Sequence, residues 1–317
     1  MASKLGILFL GGAKRVSMAR KFKTAGQSRD ISVSIYSYEI SGTVPIAAEA
    51  EVIIGLRWSD PGIYAHLQQI CREKDISVVV PFVDGAVAIA AGLAKRTPGI
   101  FAPACDADTA EAMFDKRSAA TIFESLGLPI PETFDSPVYT DGLRLIAKPR
   151  HGSASKGIVR IDSADDFAAI APHRHDYLIQ RRIDNRDELT VDCYVRIADG
   201  TPVCIVPRVR DSIAGGEVTQ TTVIHDTDVT DLCRRTLHST GLRGAVTIQL
   251  IRELPSRQLS IMEINPRLGG GAVAAICAGA DLPGYIIDEA RGKSPEPLTD
   301  YQDIIVARYL DEIAFKL

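Results

Sequence analysis

The chain has no Cys-x-x-Cys pair. Its six cysteines (Cys71, Cys105, Cys193, Cys204, Cys233, Cys277) stand singly in apolar or mixed surroundings. That scatter argues against thiolate metal motifs and points to buried, reduced thiols, which fits a cytoplasmic protein. Basic excess is also missing. A net charge of −4 offers no footprint for nucleic acid, although a local cluster of Lys and Arg can still hold an anionic substrate. Long apolar runs are absent: the most apolar stretch, Gly85 to Ala94, has about half of the ~20 residues a membrane helix needs. The opening Met1-Ala2-Ser3-Lys4-Leu5 lacks the apolar stretch of a signal peptide. Two phosphate fingerprints are missing as well. No G-x-x-x-x-G-K-[S/T] occurs, and no G-x-G-x-x-G follows the first apolar run. There is no internal repeat and no low-complexity linker.

What remains is an ordinary globular composition. With 317 residues, 46% apolar and 24% charged, the chain is expected to form two or three compact lobes. Leu5–Leu10 reads as a strand that ends at Gly11-Gly12, and a helix follows from Val16 to about Thr24. Ile31–Tyr36, Val52–Ile54 and Ser77–Val80 read as further strands. Helices are expected over Pro61–Lys74 and Val83–Lys95. Strands alternating with helices in this way predict a parallel sheet covered on both faces, ending near Pro103.

Beyond Asp106 the texture changes. One helix is expected from Asp108 to Leu126, stopped by Gly127. Leu143–Lys148 reads as a strand opening into a Gly/Ser loop, His151 to Gly157. Ser163-Ala-Asp-Asp166 resembles a capping box. Strands follow at Tyr177–Gln180, Leu189–Ile197, Val203–Val209 and Glu217–Ile224, with Asp199-Gly200 as a hairpin signal. A helix from Asp228 to His238 precedes a hairpin, Ala245–Ile251 and Gln258–Ile264, turning at Leu254–Arg257. The remainder reads as helical until a strand at Ile304–Tyr309. The fold class is α/β at the N-terminus, continuing into mixed α+β lobes.

The strongest local signal is Met262-Glu263-Ile264-Asn265-Pro266-Arg267. Strand side chains alternate, so Glu263 and Asn265 share one face, about 7 Å apart. A carboxylate and an amide oxygen so placed suit a hard cation such as Mg²⁺. Folding the hairpin about Ser256 sets Gln249 opposite Glu263 as a third oxygen, provided the turn register holds. Arg267 at the strand's end can meet phosphate. The second signal is Lys148-Pro-Arg-His-Gly-Ser-Ala-Ser-Lys-Gly157, where small residues can fold backbone N–H groups around phosphates. Each signal has a plainer reading, an exposed polar strand edge for the first and a solvated turn for the second.

Taken together, these residues resemble the ATP-grasp superfamily, in particular the synthetase subunit of carbamoyl-phosphate synthase and its short stand-alone carboxylate–amine ligase relatives. The resemblance covers nearly the whole length and rests on the order and spacing of degenerate motifs. It implies a pre-ATP-grasp α/β domain (1–104), a small lobe with the phosphate lid (105–184) and a large lobe with the Mg site (185–317). It further implies that Lys116 and Lys148 contact the nucleotide phosphates, and that the loop Gly152, Ser153, Ser155 and Gly157 is the lid. Gln180, Arg182 and Ile183 would line the adenine, and Glu188 would bind the ribose. Gln249, Glu263 and Asn265 would hold two Mg²⁺ ions (Mn²⁺ as a substitute), with Arg267 steadying the transferring phosphoryl group. The stretch Pro207-Arg208-Val209-Arg210, followed by Gly215-Gly-Glu217, resembles the part that faces the acceptor, where two arginines on one strand face could clamp a carboxylate. Arg181 departs from the family, whose members carry an acid there to accept from the adenine amino group; Arg cannot accept a hydrogen bond. Either Gln180 or a backbone carbonyl is then expected to take that role, or adenine selectivity is loosened.

The implied chemistry is ADP-forming ligation of a small carboxylate to an amine, with small-molecule partners, no nucleic acid, no membrane, and a homodimer as the assembly to test. A chain ending about 50 residues after Arg267, with one synthetase unit, favours a stand-alone ligase over biotin carboxylases, purine-pathway enzymes and full carbamoyl-phosphate synthase. Bicarbonate activation is the nearest alternative. A non-catalytic ATP-binding regulator is the second class, and a nicotinamide-dependent oxidoreductase is a distant third because the glycine fingerprint is missing. His173 and His175 lack partners at metal spacing and read as surface residues.

Overall fold

The computed structural model describes residues 3–134, 139, 142–152, 156–215 and 217–316. The first part alternates strand and helix: β1 (Ser3–Leu10), α1 (Val16–Gln27), β2 (Ile31–Glu39), β3 (Glu51–Ile54), α2 (Ile63–Glu73), β4 (Ile76–Pro81) and α3 (Asp84–Arg96). All strand pairings are parallel, in the order β3-β2-β1-β4. Both faces are covered, as a continuous apolar run demands. Ile7 and Phe9 of β1 join one buried cluster, while Leu8 and Leu10 join another on the opposite face.

The expected single helix over 108–126 is two helices, α4 (Ala107–Phe114) and α5 (Lys116–Ser125). Asp115 breaks it. Its backbone is extended (φ −82°, ψ 103°), and its carboxylate accepts from the N–H groups of Arg117 (3.0 Å) and Ser118 (3.4 Å). A short acid that can cap a new helix competes with continuing the old one. The turn aims the next residue, Lys116, toward the interior of the site described below.

A three-stranded antiparallel sheet follows: β5 (Leu145–Pro149), β6 (Val159–Ile161), α6 (Ala164–Ile170) and β7 (Tyr177–Arg181), with strand order β6-β5-β7. Ser163 caps α6, its hydroxyl accepting from Asp166 N–H at 3.1 Å. The remaining elements are β8 (Arg186–Val195), β9 (Pro202–Ala214), β10 (Glu217–Val223), α7 (Thr227–Thr240), β11 (Gly244–Glu253), β12 (Leu259–Asn265), α8 (Val273–Ala278), α9 (Leu282–Ala290) and β13 (Ile305–Ala307). Their six strands form one antiparallel sheet, ordered β12-β11-β8-β9-β10-β13. The expectation of continuous helix after Gly271 gives way to two short helices and then irregular chain, because Gly279 (φ +123°) and Gly292 (φ +72°) end each one.

One core runs between the first part and the last. Met18 and Phe22 of α1 pack in the same cluster as Leu282 and Ile286 of α9 and Val203 and Val206 of β9. Arg29 fastens the seam, pairing with Asp281 (2.8 Å) and Asp288 (2.9 Å). Five of the cysteines are buried and Cys277 is exposed. No helix is long and apolar enough to cross a membrane among the described residues.

Candidate active site

The hairpin of β11 and β12 brings Gln249 opposite Glu263, and Thr247 opposite Asn265. The register irregularity falls just after Gln249, leaving that pair intact. Gln249 donates to Glu263 Oε1 at 2.6 Å, and Asn265 donates to the same oxygen at 3.0 Å. The two amide oxygens accept from guanidiniums: Arg210 reaches Gln249 Oε1 at 3.2 Å and Arg267 reaches Asn265 Oδ1 at 3.2 Å. Both amides thus turn their nitrogens to the carboxylate and their oxygens to arginines, and the three side chains stand together on one face of the hairpin.

Two cavities meet at this cluster. Lys116, Gly152, Arg210, Gln249 and Glu263 line both. One cavity, of about 170 Å³, is closed by Ile146, Lys148, Ile158, Arg186, Glu188 and Met262. Its apolar and cationic walls would suit a flat base joined to an anionic tail. Lys148 is buried (6% exposed), and its ammonium donates to Gln180 Oε1 at 2.9 Å. Burial pulls its pKa down to about 8, with Lys116 and Arg186 adding repulsion and Glu263 and Glu188 opposing. Each oxygen of Glu188 faces an arginine, Arg186 at 2.8 Å and Arg210 at 3.4 Å.

Lys116 reaches the loop after β5. Its ammonium donates to the Gly152 carbonyl at 2.8 Å, and its backbone N–H to the Arg150 carbonyl at 3.0 Å. Arg150 pairs with Asp115 and holds that carboxyl down to about 2. Gly152 sits at φ +125°, where a side chain would be strained. Gly157 closes the other end of the loop at φ +73°. Ser153 and Ser155, expected in the lid, lie outside the described residues.

Not every expected residue reaches the cavities. Arg182 is held by Asp162 (2.6 Å) and Asp184 (2.7 Å), and neither it nor Ile183 lines the two cavities. The Gln180 oxygen is engaged by Lys148 and its amide nitrogen by Pro131 O and Thr133. Of the two adenine acceptors expected there, a backbone carbonyl therefore remains. Arg181 is drawn off to Glu253 at 3.1 Å.

The second cavity, about 230 Å³, holds Arg267, Arg208 and several residues that local sequence does not announce. Arg208 is buried (3% exposed) and donates to Asp192 at 2.7 Å. Arg267 donates to Asp84, the first residue of α3, at 2.6 Å. Arg15, Arg308 and Glu217 complete the wall. Arg15 and Asp84 follow the carboxyl ends of β1 and β4, the edge where parallel sheets bind ligands, and that rule is the signal that could have found them. Gly269, Gly270 and Gly271 are there for closeness. A Cβ on Gly270 would come within 3.1 Å of Arg15 Nη1, and one on Gly271 within 2.7 Å of Arg208 Nη2. At the turn after β1, the Glu39 carboxylate takes the Ser37 hydroxyl at 2.6 Å and faces the N–H groups of Gly12 and Ala13. Donors that a dinucleotide would need are thereby occupied.

Among the described residues no three His, Cys, Asp or Glu side chains cluster as a ready metal cage. Gln249 and Glu263 line both cavities and Asn265 the second; one carboxylate with two amides that can turn their oxygens inward fits a cation that shares its coordination with substrate phosphates, as Mg²⁺ commonly does.

Comparison with known proteins bears on the fold. Residues 173–313 match the family described as ATP-grasp in the biosynthetic pathway with Ter operon. By sequence no curated protein matches. Solved structures with a similar fold include N5-carboxyaminoimidazole synthetase from Staphylococcus aureus complexed with ADP (16% identity, TM-score 0.76, 98% of this chain and 83% of that one). They also include the biotin carboxylase domain of Hydrogenobacter thermophilus 2-oxoglutarate carboxylase with MgADP and bicarbonate (15%, 0.74, 96% and 74%). A third is biotin carboxylase from Campylobacter jejuni in a β,γ-ATP complex (13%, 0.71, 94% and 73%).

Proposed function

We propose, from the premise that this chain has the ATP-grasp fold, that it is an ADP-forming ligase activating a small carboxylate for attack by an amine. The observation that carries the reading is Glu263 on the common wall of two cavities, flanked by Gln249 and Asn265. The division into 1–104, 105–184 and 185–317 goes with it, as does action on soluble substrates in the cytoplasm.

ATP would lie with its base end in the Lys148 cavity and its triphosphate along the shared wall, near Lys116, Lys148 and the loop from Gly152 to Gly157. The adenine edge would meet backbone groups of residues 180–183, and Glu188 the ribose. Glu263, Gln249 and Asn265 would hold the Mg²⁺, which offsets triphosphate charge when bound. Arg267, braced by Asp84, would steady the phosphoryl group in flight. Arg208, fixed on Asp192, would orient the attacking carboxylate. Attack on the γ-phosphorus yields an acyl phosphate and ADP, and the amine then displaces phosphate. Neither step needs a side-chain nucleophile, and the buried cysteines have thiol pKa values pushed up by desolvation, as at Cys105, to about 12.

Thermal unfolding with Mg²⁺·ATP, with ATP plus chelator, and with NADH tests the nucleotide part. Ligand at about 100 times its dissociation constant adds roughly 2.7 kcal/mol of stability. A metal-dependent shift with ATP alone is expected, and its absence would end the ligase reading. ADP release across carboxylate–amine pairs then tests turnover; binding without any release would favour a regulator. The bicarbonate-bound neighbour keeps bicarbonate in that panel. A homodimer is checked by light scattering.

A further inference from the structure

The second cavity carries more positive charge than its own acids match. Six cationic side chains line it, Arg15, Lys116, Arg208, Arg210, Arg267 and Arg308, against Asp84, Glu217 and Glu263. Most are engaged: Arg267 by Asp84, Arg308 by Glu217 at 3.2 Å, Arg210 by Gln249 and Glu188, and Lys116 by the Gly152 carbonyl. On these six side chains three buried guanidinium nitrogens are left without a hydrogen-bond partner among the described residues: Arg15 Nε, Arg15 Nη1 and Arg208 Nη1. Arg208 is 3% exposed, so its free N–H has no access to bulk water. Buried donors on a cation are costly unless something supplies acceptors.

Arg15 differs from the others in position. It lines the second cavity and not the one around Lys148, so it stands clear of the nucleotide's proposed base end. It leaves the turn Gly11–Lys14, whose backbone is fixed from below by Glu39 and by the bond from Arg15 N–H to the Gly12 carbonyl at 2.7 Å. Across from it, Gly270 leaves Nη1 open where any side chain would press within 3.1 Å. Arg267 and Arg308 lie close enough to repel its charge, with Glu217 opposing. The proposed reaction places the transferring phosphoryl group by Arg267 and one carboxylate by Arg208, and it brings no anion to Arg15 or Arg308.

We infer that the substrate activated here carries a second acidic group, a carboxylate or a phosphoryl group, which docks on Arg15 and Arg308 opposite Gly270. The inference rests on the ligase reading for the place of the first carboxylate. The second group supplies the acceptors that Arg15 lacks, and the guanidinium fork suits either anion bidentately. It also explains why the parallel-sheet part of the chain reaches the chemistry at all: through Arg15 it measures how far apart the substrate's two charges are.

The test is titration calorimetry on the full chain with propionate, glutarate and 3-phosphonopropionate, repeated for Arg15→Ala, Arg15→Lys and Arg308→Ala. At least one dianion is expected to bind the natural chain about tenfold or more tighter than propionate, the scale of a charge-assisted hydrogen bond. Whichever dianion gains more names the second group. Arg15→Ala should erase the preference and Arg15→Lys should restore part of it. Arg308→Ala should weaken the preference too, which keeps the test available if Arg15→Ala does not fold. Equal affinity for all three probes, or a preference that survives Arg15→Ala, overturns the inference. Mg²⁺·ATP binding, measured on the same samples, separates the two levels. If the natural chain fails to bind ATP, the ligase reading falls while an Arg15-dependent dianion preference stands. If ATP binds and no preference appears, only the second-group inference falls.

Discussion

The two adjoining cavities are built from different stock. The one around Lys148 is walled by strands of the two antiparallel sheets, with Lys148 on β5, Glu188 on β8, Gln249 on β11 and Glu263 on β12. The other joins strands of the six-stranded sheet to segments that follow β1, β4 and β5, residues far apart in the chain: Arg267 meets Asp84 across 183 positions. A site end made from neighbouring strands keeps its geometry through local pairing. An end made at a seam keeps it through ion pairs between separate parts, and it can change its substrate without disturbing the nucleotide end.

Substitutions can separate the two ends. The largest effect is expected at the shared wall, where Glu263→Ala should cut ADP formation ~10³-fold or more while thermal unfolding stays nearly unchanged. Near-normal turnover would remove the metal assignment. At the Lys148 end, a pH experiment isolates one group. Below about pH 8 the Lys148 ammonium is charged in both folded and unfolded chains, and its burial opposes folding. Between about 8 and the ordinary lysine value of 10.5 the unfolded chain binds the extra proton, so this penalty fades as pH rises. Denaturant unfolding of the natural chain should therefore gain on Lys148→Met by up to about 3 kcal/mol between pH 8 and 10.5. A constant gap across that range would mean the ammonium is not desolvated.

At the other end the effects should be smaller and confined to the acceptor. Gly271→Ala would push against the Arg208 guanidinium and should lower kcat/KM for the carboxylate about tenfold, leaving KM for ATP unchanged. A matching rise in both KM values would show that the ends are not separable. Asp84→Asn keeps shape but removes the charge bracing Arg267 and should cost a few-fold in kcat, with the difference from the natural chain narrowing at high salt as the ion pair is screened.

Legibility in the sequence follows the same divide. The parallel sheet of the first strands could be read from their alternation with helices, and the Glu263–Asn265 face with its Gln249 pairing from period-two alternation and one short turn. The break at Asp115 was not legible: the helical pattern runs straight through it, and only a cap competing with the helix ends α4 there. The direction of the Arg182 side chain was not legible, because a motif position fixes the backbone and leaves the side chain to its ion-pair partners, here Asp162 and Asp184. Arg15, Asp84 and Arg308 gave no local signal, since what makes them part of the site is the packing of one sheet against another.

The core shared by α1, α9 and β9 has a consequence for how such a chain can be cut and recombined. Phe22, Leu282, Ile286 and Val206 are fully buried in one cluster, so a break near residue 104 divides a hydrophobic interior rather than a linker. A fragment comprising 173–313 would present that apolar face to water and should precipitate, whereas mixing it with separately made 1–172 should recover soluble material by complementation. Acceptor chemistry could then be exchanged by swapping the first fragment only where the incoming α1 carries both the matching ridge and an equivalent of Arg29. Gene fusion and domain shuffling would thus be filtered by fit at this seam before any catalytic property came under selection.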